Sequence, residues 1–241
     1  MQLVANQQLV RNRARLGTAF HIAALAVFGI GLFISLRTDP TSTLPVASWS
    51  TIILGLILYS LGQTQLRRWG PRRRQEESLG QAIKGLDDRY KLYAFLSTSL
   101  PDYILVSPAG VSILIARDES GQVICQRDKW QRAGGNRFMQ LFEPGLGNPS
   151  GDAQKQLQKI QTVLAGANLA DVPTSAAIVF TSAKVQLRIE GCSFPVTRLR
   201  DLKDVLRRAS GKGQNVGMSS ARVREVQGLF DQRMRDARAW R

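Results

Sequence analysis

The stretch Asp102–Trp130, DYILVSPAGVSILIARDESGQVICQRDKW, alternates short apolar runs with turn-forming residues. The runs Tyr103–Val106, Val111–Ala116 and Gln122–Gln126 predict three strands, because SPAG and DESG between them are typical turn sequences. The second run is almost continuously apolar, as is usual for a strand that is buried on both faces. These residues therefore predict the start of a β-sheet.

Helical periodicity on either side of these strands indicates an α/β arrangement. The pattern predicts helices over 76–97, 152–165 and 197–209, and two further strands over 176–181 and 185–190. The element order predicts an α/β domain over residues 75–209, with a mixed β-sheet flanked by helices. Residues 210–241 combine a Gly/Ser/Asn-rich linker with a basic amphipathic helix, for which docking on the domain and binding to a membrane or partner are alternatives.

The N-terminal quarter of the chain is apolar and predicts a transmembrane hairpin over residues 17–66. Gly17–Leu36 (GTAFHIAALAVFGIGLFISL) carries no formal charge, and its length suits a hydrocarbon core of about 30 Å. Leu44–Gln63 (LPVASWSTIILGLILYSLGQ) is also uncharged and predicts the second span. Arg37 follows the first span and no A-x-A cleavage pattern appears, so we expect a retained anchor and not a signal peptide.

Arginines flank the two spans and are scarce between them, which sets the expected orientation. The positive-inside rule places both termini in the cytoplasm, with residues 1–16 as a tail and 67–74 as a basic juxtamembrane segment. Small residues in the first span favour close packing of the two helices, with a homodimer through this face as the alternative. The predicted membrane-interface residues are Trp49, Arg67, Arg68, Trp69, Arg72, Arg73 and Arg74.

The charge balance favours anionic partners. The chain has 33 Lys and Arg against 18 Asp and Glu, a net charge of +15, which suits nucleic acid or anionic lipid head groups. The one histidine, His21, lies in the first span, which excludes a multi-histidine zinc site and a histidine catalyst in the soluble part. Cys125 and Cys192 could pair, but two free thiols in a reducing compartment is the simpler interpretation, and two cysteines alone do not make a structural zinc site.

Several residues of the opening stretch, with others downstream, resemble the nuclease-related domain (NERD) family. The residues that match its motifs are Asp102, Pro108, Gly110, Val111, Gly121, Trp130, Asn148, Pro149 and Gln154. The resemblance covers about residues 75–208 and implies a PD-(D/E)xK nuclease fold. A site of that kind needs two carboxylates that bind Mg²⁺ and a lysine near the attacking water.

The sequence departs from this family at the strand that would carry the chemistry. The glutamate position is Ile115, which offers no oxygen to a metal, and the lysine position is Arg117, which stays protonated and cannot act as a base. The resemblance places the degenerate site at Asp102, Ile115, Arg117 and Gln154, with Glu76 or Glu77 as the acidic residue of the first helix. We expect Asp102 to be bonded to backbone or to Arg117, and we predict no catalytic residue, metal or cofactor.

The function expected from these observations is a membrane-anchored, catalytically inactive NERD-like domain that serves as a binding or scaffold module. Candidate anion-binding residues are Arg117, Arg127, Lys129 and Arg132, and candidate partners are membrane lipids, nucleic acid or another membrane protein. One alternative is an accessory subunit of a membrane protein complex. The other is a Mg²⁺-dependent nuclease with a displaced site formed by Asp102, Glu119 and Glu76.

Overall fold

The computed structural model describes residues 2–37, 45–70, 75–133, 146–211 and 217–239. The chain divides into two compact units. One unit contains Met1–Asn6 with Gln75–Arg241, and the other contains Gln7–Arg74. The predicted interface residues Arg72, Arg73 and Arg74, Trp240, and most of the linker and of the Gly-rich loop before Asn148 lie outside the described residues.

The helical unit is an antiparallel pair formed by α1 (Gln7–Arg37) and α2 (Pro45–Trp69). Glycines allow the close approach that the small residues predicted, because a Cβ on Gly31 would overlap Thr51 and one on Gly17 would lie 2.9 Å from Leu66. The ring of His21 meets Tyr59 edge-on at 5.0 Å, and its Nδ1 lies 3.0 Å from the carbonyl oxygen of Gly17. His21 is therefore a packed residue of the helix interface.

Among the described residues, one helix segment, Gln7–Leu36, is long and apolar enough to cross a membrane. Length and composition alone make this weak support, since a signal sequence or a core helix can meet the same criteria. Trp49 on α2 is 66% exposed, whereas Trp69 at the end of α2 is buried.

The α/β unit is built on a six-stranded mixed sheet. The strands of the unit are β1 (Gln2–Ala5), β2 (Lys91–Ala94), β3 (Tyr103–Ser107), β4 (Gly110–Arg117), β5 (Gly121–Gln126), β6 (Lys129–Ala133), β7 (Thr174–Phe180), β8 (Val185–Glu190) and β9 (Val196–Arg198). The large sheet has the order β1-β2-β3-β4-β7-β9, in which β2, β3 and β4 are antiparallel neighbours and β4, β7 and β9 run parallel. The predicted α/β class with a mixed sheet is confirmed.

The α/β unit also contains a smaller, three-stranded sheet. It has the order β6-β5-β8, with a tight hairpin between β5 and β6 whose two turn residues, Arg127 and Asp128, both have positive φ. Two positive φ values match the twist of a two-residue hairpin turn, although the side chains make this backbone conformation less favourable than it would be for glycine. The sequence predicted one sheet and no β6, so this second sheet is a finding of the structure.

Helices cover the large sheet. They are α3 (Glu76–Ala82), α4 (Pro149–Ala165), α5 (Leu202–Gly211) and α6 (Ser220–Ala239). Ile160 and Leu164 of α4, with Val226 and Phe230 of α6, belong to one buried core cluster with the sheet. The apolar face of α6 is therefore used for docking on its own domain, which decides between the two alternatives that the sequence left open.

Polar contacts complete the docking of α6. The Nζ of Lys91 donates to both carboxylate oxygens of Asp231 at 2.8 and 2.7 Å, and the hydroxyl of Tyr93 donates to the same carboxylate at 2.9 Å. The guanidinium of Arg238 donates to the carbonyl oxygen of Ala5 at 2.9 Å, which connects α6 to β1. The strand β1 and the helix α6 are therefore both part of the α/β unit.

Two sequence predictions of helices are wrong in part. The predicted helix over 76–97 ends after Ala82, and residues 91–94 form β2 because Leu92, Tyr93 and Ala94 are all buried in the sheet. The predicted helix start at Thr197 is also wrong, since Thr197 lies in β9 and α5 begins at Leu202 after a short 3₁₀ turn. At residues 91–94, burial in the sheet overrides a helical spacing of apolar residues, and Thr197 is buried in the sheet instead of starting a helix.

Candidate binding site

The residues that the sequence assigned to the degenerate site lie on β3, β4 and α4. Asp102 precedes β3 and is half-buried, and its carbonyl oxygen accepts a hydrogen bond from the N–H of Phe95 at 2.8 Å. Ile115 is partly buried and packs against the core cluster. Isoleucine at this position therefore contributes to packing, and no carboxylate stands at this point of β4.

Arg117 at the end of β4 forms an ion pair with Asp152 in the first turn of α4. The guanidinium is largely buried, at 15% exposure, whereas the carboxylate is 50% exposed. The Arg117 backbone is also held, since its carbonyl oxygen accepts hydrogen bonds from the N–H and the hydroxyl of Thr181 at 2.7 and 3.0 Å. This ion pair, which the sequence did not predict, occupies the carboxyl end of β4.

The residue matched to the family glutamine is directed away from this ion pair. Gln154 is exposed on α4, two positions after Asp152. Gln156 lies one helical turn after Asp152, on the same face, and its Oε1 is buried. Gln156 is thus the amide that shares the Asp152 face, and the i, i+4 spacing from Asp152 is the signal that could have identified it.

Two carboxylates that the displaced-site alternative uses do lie near a common group, the hydroxyl of Tyr103. Burial is the main reason why the pKa of Tyr103 is raised, and the negative charges of Glu76 and Asp102 raise it further. The backbone N–H of Gln75 donates to the same hydroxyl at 3.1 Å. Glu76 is buried in the first turn of α3, whereas Glu77 is exposed. Both carboxylates therefore act on Tyr103, but among the described residues Glu76, Asp102 and Glu119 do not form a group whose ligand atoms lie within 4.8 Å of one another.

The four predicted anion-binding residues do not form one patch. Arg117 is paired with Asp152, and Arg127 lies in the β5–β6 turn. Lys129 and Arg132 are three positions apart on β6, so their side chains leave opposite faces of the strand. The four residues therefore do not share one face of the hairpin, and their role in anion binding stays a prediction.

A different basic cleft lies beside the carboxyl ends of β7 and β9. It has a volume of about 460 Å³, and its polar lining comes from Ser78, Gln81, Thr181, Ser182, Arg198 and Arg200. Arg198 donates to Asp201 at 3.0 Å, and Arg200 lies 3.6 Å from the other oxygen of the same carboxylate. Ligands of parallel sheets bind preferentially at the carboxyl ends of the strands. Sequence reasoning missed this cleft because its residues come from three distant segments.

A polar network holds the β5–β6 turn against two other segments. The indole N–H of Trp130 donates to the Ser150 hydroxyl at 2.9 Å, and that hydroxyl donates to Asp128 at 2.6 Å. The N–H of Ser193 donates to Asp128 at 3.0 Å, and its hydroxyl donates to the other oxygen of the carboxylate. These hydrogen bonds, that of Ser150 first, hold the pKa of Asp128 below its ordinary value.

The two cysteines lie at the same network. Cys125, on β5, and Cys192, in the loop after β8, form a disulfide with a Cα–Cα distance of 6.5 Å. The interpretation of two free thiols is therefore wrong for this structure. One ligand atom of each of Cys125, Asp128 and Cys192 lies within 4.8 Å of the other two. We call these three residues, with Ser150 and Ser193, the hairpin cluster.

No family model matches the chain, and no curated protein or solved structure matches it either.

Proposed function

We propose that this chain is a membrane-anchored binding module whose basic α/β unit binds the phosphates of nucleic acid without cleaving the chain. One observation carries the proposal. At the end of β4, the positions that would supply a metal-binding carboxylate and a lysine hold Ile115, which packs on the core, and Arg117, which is paired with Asp152. A guanidinium in this place repels Mg²⁺, and arginine cannot act as a general base.

The order of elements is compatible with the NERD resemblance. The turn Ser107–Gly110 joins antiparallel strands, and Gly110 has a φ of +123° where a Cβ would overlap the carbonyl oxygen of Pro173. Asn148 caps α4, since its side-chain oxygen accepts from the N–H of Gly151 at 2.9 Å, and Pro149 occupies the first turn. Backbone conformation and helix capping therefore explain the residue types at Gly110, Asn148 and Pro149.

The pairing of β1 with β2 supports a two-span anchor. Residues 2–5 pair in parallel with residues 91–94, so the chain leaves the α/β unit at Asn6 and returns to it at Gln75. A single membrane crossing between these points would put two paired strands on opposite sides of the bilayer. Two crossings, by α1 and α2, keep them on one side, and the arginine distribution favours the cytoplasmic side.

The cleft at the carboxyl ends of β7 and β9 supports phosphate binding. Arg198 and Arg200 share the one carboxylate of Asp201 and so leave a net positive charge, and the hydroxyls of Ser78 and Ser182 supply donors, which is the combination that phosphate oxygens require. The net charge of +15 adds long-range attraction for a polyanion. We therefore propose this cleft, and not the residues of the β5–β6 hairpin, as the principal phosphate site.

The test is salt-titrated binding of labelled DNA by the full chain in neutral detergent, with Mg²⁺ present to reveal cleavage. We expect binding without cleavage, and a logarithmic salt slope that falls by about two when both Arg198 and Arg200 are changed to alanine. The control Arg89→Ala/Arg188→Ala removes the same charge from exposed arginines outside the cleft. Salt-insensitive binding, or an equal loss in the control, would contradict the proposal.

A Mg²⁺-dependent nuclease is the second candidate, because Glu76 and Asp102 both lie near Tyr103. In this version Glu76, Asp102 and Glu119 hold the ion at a site displaced from β4, which requires them to move closer, because their oxygens do not form a group within 4.8 Å among the described residues. The same assay distinguishes the candidates, since this version requires cleavage that is lost in Asp102→Ala. Cleavage that persists in Asp102→Ala would exclude this set of residues.

A further inference from the structure

The hairpin cluster has a chemistry that the proposed function does not use. Cys125 lies on β5 and Asp128 lies in the tight hairpin turn that follows, with two residues between them, and Cys192 approaches from a distant loop. Paired ligands two residues apart on a turn, joined by ligands from elsewhere in the chain, are the usual construction of protein zinc sites. We infer that reduced Cys125 and Cys192, together with Asp128, bind a thiophilic divalent ion such as Zn²⁺, and that the disulfide excludes this ion.

The distances suit both states of the cysteines. Their Cα–Cα separation of 6.5 Å is at the upper end of the disulfide range of about 4.4–6.8 Å. Two thiolates on one tetrahedral zinc ion lie roughly 3.8 Å apart, because each Zn–S bond is about 2.3 Å long. All three ligand atoms already lie within 4.8 Å of one another, which is close to the spacing of ligands on one metal ion.

The carboxylate is oriented in advance for such a role. Its two oxygens accept from Ser150 and from the N–H and hydroxyl of Ser193, which uses three of about four lone-pair positions. One position stays available on the oxygen that accepts from the Ser193 hydroxyl alone. Metal-binding carboxylates are commonly held by hydrogen bonds of this kind, which fix their direction and tune the metal.

The same hydrogen bonds hold the cysteine loop in place. Gly191 has a φ of +67° and begins the bend that carries Cys192, and Ser193 then binds Asp128 through its backbone and side chain. Cys192 is consequently fixed next to the hairpin by bonds that do not involve its sulfur. The cluster therefore keeps its ligands close together whether the sulfurs are oxidised or reduced.

Exposure gives the two cysteines different roles in oxidation. Cys192 is partly exposed and Cys125 is fully buried. The Cys192 thiolate attacks a low-molecular-weight disulfide, which forms a mixed disulfide and releases one small thiolate. The Cys125 thiolate then attacks the Cys192 sulfur and releases the second small thiolate. The two cysteines lose two electrons, the small disulfide gains them, and the ion loses two of its ligands.

Among the residues that the structure describes, the cluster supplies three ligands, so a fourth tetrahedral position is open to water or to a small anion. The probe for the site is Co²⁺, since its thiolate complexes absorb in the near ultraviolet and Zn²⁺ displaces it. After anaerobic reduction with a phosphine, we expect the full chain to bind one Co²⁺ ion. The complex should show the absorption of a thiolate–cobalt bond. The oxidised chain should show no thiolate–cobalt absorption.

Variants separate this site from adventitious binding to thiols. Cys192→Ser should remove about half of the thiolate absorption, and Asp128→Asn should weaken Co²⁺ binding at least tenfold. Ser193→Ala should weaken it by about tenfold through the lost orientation of the carboxylate. The matched control Asp118→Asn changes an exposed carboxylate in the neighbouring turn and should leave binding unchanged.

Two results would overturn the inference. The first is a reduced wild-type chain without thiolate–cobalt absorption. The second is cobalt affinity that does not differ between the wild type and Asp128→Asn, because the thiols alone would then account for binding. Circular dichroism of each protein checks folding, and Ser193→Ala replaces Asp128→Asn if that variant is unfolded. None of these outcomes depends on DNA binding, so the inference and the proposed function stand or fall separately.

Discussion

Two aspartates near the start of α4 have different surroundings. Asp152 lies in α4 and forms an ion pair with Arg117, and its side chain is 50% exposed. Asp128 belongs to the β5–β6 turn and accepts three hydrogen bonds from two serines. The first carboxylate neutralises a cation at the place where the family resemblance expects a metal site, whereas the second is held in position beside two sulfurs.

The comparison shows that a carboxylate is not a metal ligand merely because it lies near a sequence motif. What matters is which groups already occupy its oxygens and whether a soft or a cationic group stands next to it. A neighbouring guanidinium disfavours a metal ion, but hydroxyl and amide donors orient a carboxylate without opposing the charge of an ion. The predictions below test whether this contrast appears in stability, from the largest expected change to the smallest.

The largest effect is expected for Trp130, which links the hairpin cluster to the core. Its ring packs near Phe180 at 6.1 Å between centroids, and its N–H donates to Ser150. Trp130→Ala should lower the free energy of unfolding by about 3 kcal/mol, because a large partly buried ring is removed. Trp130→Phe keeps most of the packing and should cost only about 1 kcal/mol. Urea unfolding measures both, and equal costs would show that the hydrogen bond and not the ring stabilises the hairpin.

The next effect is expected for Asp128 itself. Asp128→Ala leaves the hydroxyl of the buried Ser150 without its acceptor and removes two further hydrogen bonds from the exposed Ser193, and it should cost about 2 kcal/mol in the oxidised protein. Ser193→Ala removes one of those donors and serves as the partial variant, with a cost near 1 kcal/mol. If Asp128→Ala costs no more than Asp152→Ala, measured under the same conditions, the proposed contrast between the two carboxylates is incorrect.

The stability supplied by Asp128 should depend on pH in one direction. Its pKa in the folded protein is held below the ordinary value of about 3.9 by the serine hydrogen bonds, so folding favours the ionised form. The contribution is therefore complete above about pH 5 and decreases as the pH falls below about 4. With chelator present, the stability difference between the wild type and Asp128→Asn should shrink over that range. A difference that grows on acidification would contradict the assigned hydrogen bonds.

Local sequence signals predicted much of the sheet. The β3–β4 turn was identified from Ser107–Gly110, and the strand Val185–Glu190 has the predicted bounds. Helical spacing failed at 90–94 because the same apolar residues that suit a helix face are buried between sheet neighbours. The strand Gln2–Ala5 was missed because it is short and pairs with residues about ninety positions away.

The candidate sites were predictable only where one segment carries them. Ile115 and Arg117 are two residues apart on one strand, so the absence of a Glu-x-Lys pair at these positions could be read from the sequence alone. The cleft around Arg198 and the hairpin cluster assemble residues from separate segments, and Cys192 meets Cys125 across 67 positions. The contact of the two cysteines depends on the parallel register of β5 with β8, and the cleft depends on that of β7 with β9, and no local pattern encodes either register.

A smaller effect is expected for the exposed carboxylate. Asp152→Ala removes an ion pair whose carboxylate is exposed to solvent. Exposed ion pairs contribute about 0–1 kcal/mol to the free energy of unfolding. The largely buried Arg117 then loses its partner, which places the expected cost near the upper end, about 1 kcal/mol. Asp152→Asn is the matched control, since it keeps an oxygen acceptor and should cost less. Urea unfolding above pH 6 gives the comparison, and a cost above about 2 kcal/mol would mean that this pair is as well organised as the hairpin cluster.

The smallest effect is expected for Arg117→Lys, which places a lysine at one position of the motif that the sequence resembles. The Nη2 of Arg117 donates to Asp152, whereas its Nε is buried without a hydrogen-bond partner. Lysine keeps the charge and can still form an ion pair with Asp152. It loses the planar guanidinium geometry of arginine, but it also removes the buried N–H that has no acceptor, so the two effects on stability offset each other. The free energy of unfolding should change by less than about 0.5 kcal/mol, within the range of ordinary surface substitutions. A cost of several times that value would mean that the guanidinium makes contacts beyond Asp152, and the end of β4 would then be a structured polar site comparable to the hairpin cluster.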